Sequence, residues 1–336
     1  MRIALDAMGG DLGPELPIRG ALAAITDRDD LEVVLLGPRD LLERQIAEIA
    51  GSDSRVSRRL GVEHAPETVS MDESPVEAVR KKKNSTIMVG FDLVRNGAAD
   101  AVVSAGNSGA TMAAAIRKLG RLPGISRPGI TSFFPTLKKP VMIMDIGANV
   151  DCRPKHLLQF AIMASSCSRL LCHIDSPRVG LLSIGEETGK GNALVKETHA
   201  LLSASGMNFI GNVEGRDVYR GDVDVIVCDG FVGNISLKIS EGLAEAAMQM
   251  LKTEIMKTLR AKIGYLLIRK AFRSFRKRVD YAEYGGAPLL GINGTGIICH
   301  GTSNAVALRN AIYVAADMVR HQVNESIIRT LREYAS

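Results

Sequence analysis

VDVIVCDGFVGNISLK, residues 223–238, passes from one residue pattern to another. Val223, Val225, Ile226 and Val227 form a β-branched apolar run of the kind found in strands buried on both faces. Asp229, Gly230, Gly233 and Asn234 follow at once, and a helix is expected from about residue 234 to 250. Strand, glycine-rich turn and helix in that order belong to parallel α/β sheets. Such sheets bind ligands at the carboxyl ends of their strands, where the first N–H groups of a helix attract anions.

Working outward, four other stretches repeat the design: DAMGGDLGP (6–14), SAGNSGATMAAA (104–115), DIGANVD (145–151) and GEETGKGN (185–192). Each follows an apolar run, at residues 3–5, 101–103, 141–144 and 179–184. Helices are expected after Pro14, after Pro38, from Pro75 to about residue 84, from 154 to 171 and from 193 to 203. Ser74 to Glu77 has the form of a capping box. A single long helix is expected over 302–333. Alternating strands and helices of this kind imply a mostly parallel sheet covered on both faces, and five turns of one type imply a shared crevice.

Residues 241–280 break the pattern. Lys252 to Arg278 carries ten basic residues against Glu254 alone, a local charge of +9 in a chain of net +5. Leu251, Ile255, Leu259 and Ile263 recur every four residues up to Gly264. These features predict a basic helical hairpin projecting from a core of residues 1–240 and 281–336, with GYLLI (264–268) at its tip. The null alternative is a dimerisation arm with solvated charges. Exposed Tyr265, Leu266, Leu267 and Ile268 between Arg269, Lys270, Arg273, Arg276 and Lys277 also suit an anionic membrane surface. With no Trp and 4% aromatic residues, base-stacking platforms are scarce, which argues against nucleic acid.

The 336 residues, 46% hydrophobic, suffice for a large core, and the five cysteines form no zinc or disulfide pattern. Reduced thiols and the lack of a signal-peptide core at the amino terminus point to the cytoplasm. No His-x-x-x-His or paired-carboxylate arrangement suggests a metal, and neither GxGxxG with a ribose-binding acid nor a Walker sequence suggests a nucleotide. No cofactor is expected. Lys190, between two glycines ahead of a helix, is either a solvated charge or a phosphate ligand beside helix-end N–H groups. Asn234 is either an N-cap or a ligand group, and Asp229 either a cap or a partner that orients Lys190. Asp6, Gly9, Gly10, Gly106, Asn107, Ser108 and Gly233 complete the candidate phosphate and substrate-binding set.

DAMGGDLGP, VVSAGNSGATMA, VCDGFVGNISLK and YGGAPLLG together resemble the bacterial phosphate acyltransferases of phospholipid synthesis, the PlsX family. The resemblance runs from Arg2 to the last helix. It implies a Rossmann-like three-layer α/β/α homodimer, akin to phosphotransacetylases and the isocitrate dehydrogenase group. It implies transfer of a fatty acyl group from acyl-[acyl carrier protein] to inorganic phosphate, giving acyl phosphate, with Lys190 and Asn234 as the catalytic pair and an acidic carrier protein as partner. Ser108 stands where threonine is common in the family, and Gly13 where alanine is frequent. The alternatives are a phosphotransacetylase-like enzyme using acyl-CoA and a noncatalytic scaffold peripherally attached to the membrane.

Overall fold

A computed structural model describes residues 1–51, 58–279 and 281–335, with the side chains of residues 276–282 and 335 outside that description. Strands β1 (Arg2–Asp6), β2 (Glu32–Gly37), β3 (Leu60–His64) and β4 (Ala101–Ser104) alternate with helices α1 (Glu15–Asp27), α2 (Arg39–Ala50), α3 (Pro75–Lys81) and α4 (Thr86–Arg95). Helix α5 (Ser108–Leu119) precedes β5 (Gly129–Phe134), β6 (Val141–Met144) and α6 (Pro154–Leu171). Then come β7 (Val179–Leu182), α7 (Ala193–Ala204), β8 (Phe209–Val213), β9 (Val225–Val227), α8 (Gly230–Lys257) and α9 (Leu259–Val279). Strands β10 (Ala287–Leu290) and β11 (Gly296–Ile298) and helices α10 (Ala305–Arg320) and α11 (Val323–Ala335) complete the order.

The eleven strands among the described residues form one sheet, ordered β3-β2-β1-β4-β11-β10-β5-β6-β9-β7-β8. Side chains alternate strictly across it: Ile3, Leu5, Val33 and Leu35 pack on one face with α1, α6 and α10. Ala4, Val34 and Leu36 face the other way, toward α4 and α5. The result is the expected α/β/α layering, with central strands apolar on both sides because both are covered.

Three antiparallel pairings, β11/β10, β10/β5 and β5/β6, lie between two parallel blocks. The blocks β3-β2-β1-β4-β11 and β6-β9-β7-β8 therefore run in opposite directions. The five glycine turns divide accordingly, with Gly9 and Gly106 at one edge and Gly147, Gly189 and Gly233 at the other.

Several elements differ from the sequence expectation. Helix α8 starts at Gly230 and continues unbroken through position 240 to Lys257. The hairpin turn is Thr258, in extended conformation, whose hydroxyl accepts the Ala261 N–H at 3.2 Å and so caps α9. Gly264 does not break the helix, and residues 264–268 lie inside α9 rather than at a tip. The long carboxyl-terminal helix is two helices, separated where Gln322 takes a φ of 52°. Ser74 precedes α3 without a side-chain cap. The glycine-rich run at 284–301 contains β10 and β11, and β3, α4 and β5 were not foreseen.

Candidate active site

The first block's turns are closed by an aspartate. Asp6, fully buried at the end of β1, accepts the Ser104 hydroxyl at 2.7 Å and the Met8 N–H at 3.1 Å, while Gly106 N–H donates to Ser104 Oγ at 3.1 Å. Burial raises the Asp6 pKa, and the hydrogen bonds from Ser104, Thr86 and the loop N–H groups only partly offset it. A Cβ on Gly9 would stand 2.4 Å from Asp6 Oδ2 and 2.7 Å from Gly106 N, so this turn tolerates no side chain there. Gly10 packs against the Gly301 carbonyl. Asp6, Gly9 and Gly10 thus shape the loop under the site, whereas the sequence reading gave them direct ligand contact.

Asn107 is also structural. Its Oδ1 accepts the Ala110 N–H at 3.0 Å, capping α5, and its Nδ2 donates to the carbonyls of Ser70, Met71 and Glu73. With Asn107 committed to the cap and the 70–73 loop, the exposed residue at the start of α5 is Ser108.

Asp145 closes the second block in the same manner, and the sequence analysis did not single it out. Its carboxylate is buried and accepts N–H groups of Ile130, Gly147, Ala148 and Asn149 and the Asn149 amide, at 2.7 to 3.3 Å. The available signal was its position: Asp6 and Asp145 both end an apolar strand just before a glycine turn. The start of α8 rests on this turn. Gly230 N–H donates to Asn149 O at 2.7 Å and Asp229 caps Val232 N–H at 2.9 Å. The first N–H groups of α8 are therefore partly spent inside the protein, and Asp229 is the N-cap. Asn234 is not a cap; it lies in the second turn, with its side chain beside Gly147.

A cavity of about 1740 Å³ on the α4/α5 face spans the antiparallel seam. Ser108 from one block and Gly147 and Asn234 from the other both line it, as do Ile130 and Phe134 of β5 and Ile298 at the end of β11. Helices α8 and α9 form its outer wall. Lys238, one turn beyond Asn234 on the same helix face, pairs with Glu241 at 2.8 Å and approaches His300 Nε2 at 3.4 Å. Both Lys238 and His300 line the cavity; the only local signal for Lys238 is its i, i+4 spacing from Asn234, and none marks His300. Cys299 lines it too, but burial pushes its thiol up to about 12, so it is a poor nucleophile near neutral pH.

A large, mostly apolar cavity that also presents Ser108, Asn234 and Lys238 from both halves of the sheet fits a substrate with an anionic reacting group and a long apolar portion. The fatty acid synthesis protein family model matches residues 1–326. The chain belongs to that family. A phosphate acyltransferase from Geotalea uraniireducens is 53% identical over 333 residues, covering 99% of this chain and 95% of the relative. A phosphate acyltransferase from Geobacter sulfurreducens is 51% identical over 329 residues, covering 97% and 93%. The fold also matches phosphotransacetylases from Streptococcus pyogenes (TM-score 0.64) and Staphylococcus aureus (TM-score 0.62), each 19% identical, covering 95% of this chain and 94% of theirs.

Lys190 is exposed on the loop after β7, at the same sheet edge as Gly147 and Asn234, but not in the cavity lining. Gly233 is buried beneath the start of α8. On α9, Leu266, Leu267, Ile268, Arg269, Lys270 and Arg273 are exposed, whereas Tyr265 turns inward. Its ring meets Phe272 edge-on at 5.2 Å and lines the cavity. Arg269 and Arg273 reach the cavity rim. Arg276 and Lys277 have side chains outside the described residues. Among the described residues no helix is long and apolar enough to cross a membrane.

Proposed function

We propose that this chain transfers a fatty acyl group from acyl-[acyl carrier protein] to inorganic phosphate, giving acyl phosphate and free carrier thiol. The observation that carries the reading is the one cavity that Ser108, Asn234 and Lys238 line together with many apolar side chains, in a family whose relatives are named phosphate acyltransferases. Phosphate is already anionic at neutral pH, so the protein has to position it and offset its charge more than deprotonate it.

In this reading the Ser108 hydroxyl and the amino-terminal turn of α5 hold phosphate, with Lys238 supplying positive charge inside the cavity. Lys190, on the loop at 183–192 at the edge it shares with Asn234, adds a second cation. A phosphate oxygen attacks the thioester carbonyl carbon and the oxyanion accepts the Asn234 amide N–H. Collapse breaks the C–S bond, and the thiolate leaves with the electron pair and takes a proton from water, an easy departure for a thiol of pKa near ~8.5.

The same reading makes the protein a cytoplasmic homodimer that docks the acidic carrier protein and an anionic membrane surface through the basic face of α9. The exposed Leu266 and Leu267 beside Arg269 and Lys270 support the membrane contact. Incubating the purified protein with palmitoyl-[acyl carrier protein], with and without phosphate, and measuring free thiol and acyl phosphate tests the reaction. Thiol release that does not depend on phosphate would overturn it, and efficient use of palmitoyl-CoA in place of the carrier thioester would move the donor to coenzyme A.

A further inference from the structure

Helix α8 presents one continuous stripe to the cavity: Asn234, Lys238, Glu241, Ala244, Met248 and Ile255. From Glu241 onward the half-buried positions are 241, 244, 248 and 255, the three-and-four spacing of a single helix face. The stripe changes character along its length. Its first two turns carry the amide of Asn234 and the Lys238–Glu241 pair, and from Ala244 the half-buried positions 244, 248 and 255 are apolar, with exposed Glu245, Gln249 and Lys252 along the margin of the cavity. Tyr265 and Phe272 of α9 line the same enclosure. A polar head region followed by an apolar track, on one rigid helix, has the layout of a measuring surface for an acyl chain.

We propose that α8 is an acyl-chain ruler, with Ala244 and Met248 setting how long a chain fits with its carbonyl at Asn234. The proposal rests on the acyl-transfer reading above. Ala244 is ten residues beyond Asn234 and Met248 fourteen, which at 1.5 Å per residue places them about 15 Å and about 21 Å along the helix axis. An extended acyl chain advances about 1.3 Å per carbon, from ordinary C–C geometry. Ala244 therefore stands alongside about the twelfth carbon, and Met248 alongside about the sixteenth. The small side chain at 244 leaves the track open where a medium chain ends, and the longer Met248 meets the end of a common long one. Continuity with the polar end, through Lys238 and Glu241 on the same helix face, makes the acyl portion of the thioester the occupant of this groove rather than a second protein.

The test is the chain-length profile of phosphate-dependent thiol release from carrier thioesters of 8, 12, 16 and 18 carbons, with folding checked by circular dichroism. Ala244→Phe is expected to lower kcat/KM for the 16- and 18-carbon substrates at least tenfold relative to the 8-carbon one. Met248→Phe, farther out, is expected to spare 12 carbons and penalise 18. If Ala244→Phe does not fold, Met248→Phe alone carries the test. A uniform change across all lengths in a folded variant overturns the ruler while leaving acyl transfer standing. Failure of the unmodified protein to release thiol with any thioester in the presence of phosphate overturns the underlying reaction instead.

Discussion

Gly233 in the first turn of α8 lies directly against the carbonyl of Asp145: a Cβ built on it would be 1.9 Å from that oxygen and 3.1 Å from the Cys228 sulfur. The contact involves backbone that flexible side chains cannot relieve. It seats the start of α8 on the β6 turn and so fixes where Asn234 points.

Gly233→Ala is therefore expected to push α8 off the turn and cost several kcal/mol, at the high end for overpacking of about 1–3 kcal/mol. The expected readouts are a lowered Tm and a loss of phosphate-dependent turnover together. A variant with unchanged Tm would show that this contact does not seat the helix.

Asn234→Ala and Lys190→Ala separate the two assigned roles. Removing the amide that meets the oxyanion should lower kcat about 10²-fold, the usual effect of losing one such donor, with a smaller change in KM for the acyl donor. Lys190→Ala should abolish turnover without unfolding the protein, since its side chain is exposed. Near-normal steady-state rates in Lys190→Ala would remove it from the mechanism and leave Lys238 as the cation in the cavity.

Arg178 and Asp224 give a pH-dependent stability contribution. The Asp224 carboxylate accepts the Arg178 Nε at 2.9 Å, Nη2 at 3.0 Å and backbone N–H at 2.8 Å, tying the starts of β7 and β9. Burial pushes the Asp224 pKa up, but the bonds and charge of Arg178 outweigh it, and the net value is lowered from 3.8. A lowered carboxyl contributes stability that is complete above the unfolded value and lost as pH falls through the folded one, so the loss falls below pH 3.8. Asp224→Asn should cost about 2 kcal/mol at pH 7, the worth of hydrogen bonds to a charged group. The difference from the unmodified protein should shrink below pH 3.8 in urea titrations. A difference independent of pH would rule out the ionic origin.

The exposed apolar side chains of α9 can be tested on lipid. Leu266 and Leu267 are 63% and 82% exposed. Replacing both with Glu removes insertion energy of about 1.5–3 kcal/mol each and adds repulsion from an anionic surface. Co-sedimentation with phosphatidylglycerol vesicles should fall more than tenfold, with helix content by circular dichroism retained. Equal binding by both proteins would place any lipid contact elsewhere.

The strand-turn-helix units were legible because each is local. A β-branched run, a glycine where no Cβ fits and an Asn or Asp cap lie within about ten residues of one another, and the Asp229 cap forms as one of its two readings expects. Short elements without such punctuation, such as β3, β10 and β11, were not, because strands of three to five residues exist only through their neighbours in the sheet. The hairpin turn was misplaced for a related reason. Gly264 reads as a breaker, but a single glycine costs a helix only about 1 kcal/mol, and the capping hydroxyl at Thr258 decides the boundary.

By itself, then, the sequence determined the layered α/β fold, the glycine-rich strand-to-helix turns and the family, since those depend on residues adjacent in the chain. Only the tertiary structure decided which turns meet. Three strand reversals turn one block against the other, and the cavity that crosses the seam joins Ser108 to Asn234 and leaves Lys190 on the edge. It also shows the bonds that hold Asp6 and Asn107 from within, because burial obliges their polar atoms to find partners inside the protein. The direction of a strand and the partners of a buried side chain depend on residues far away in the chain, as where Ile297 pairs with Val103 and Leu289 with Ile130, and no local pattern encodes them.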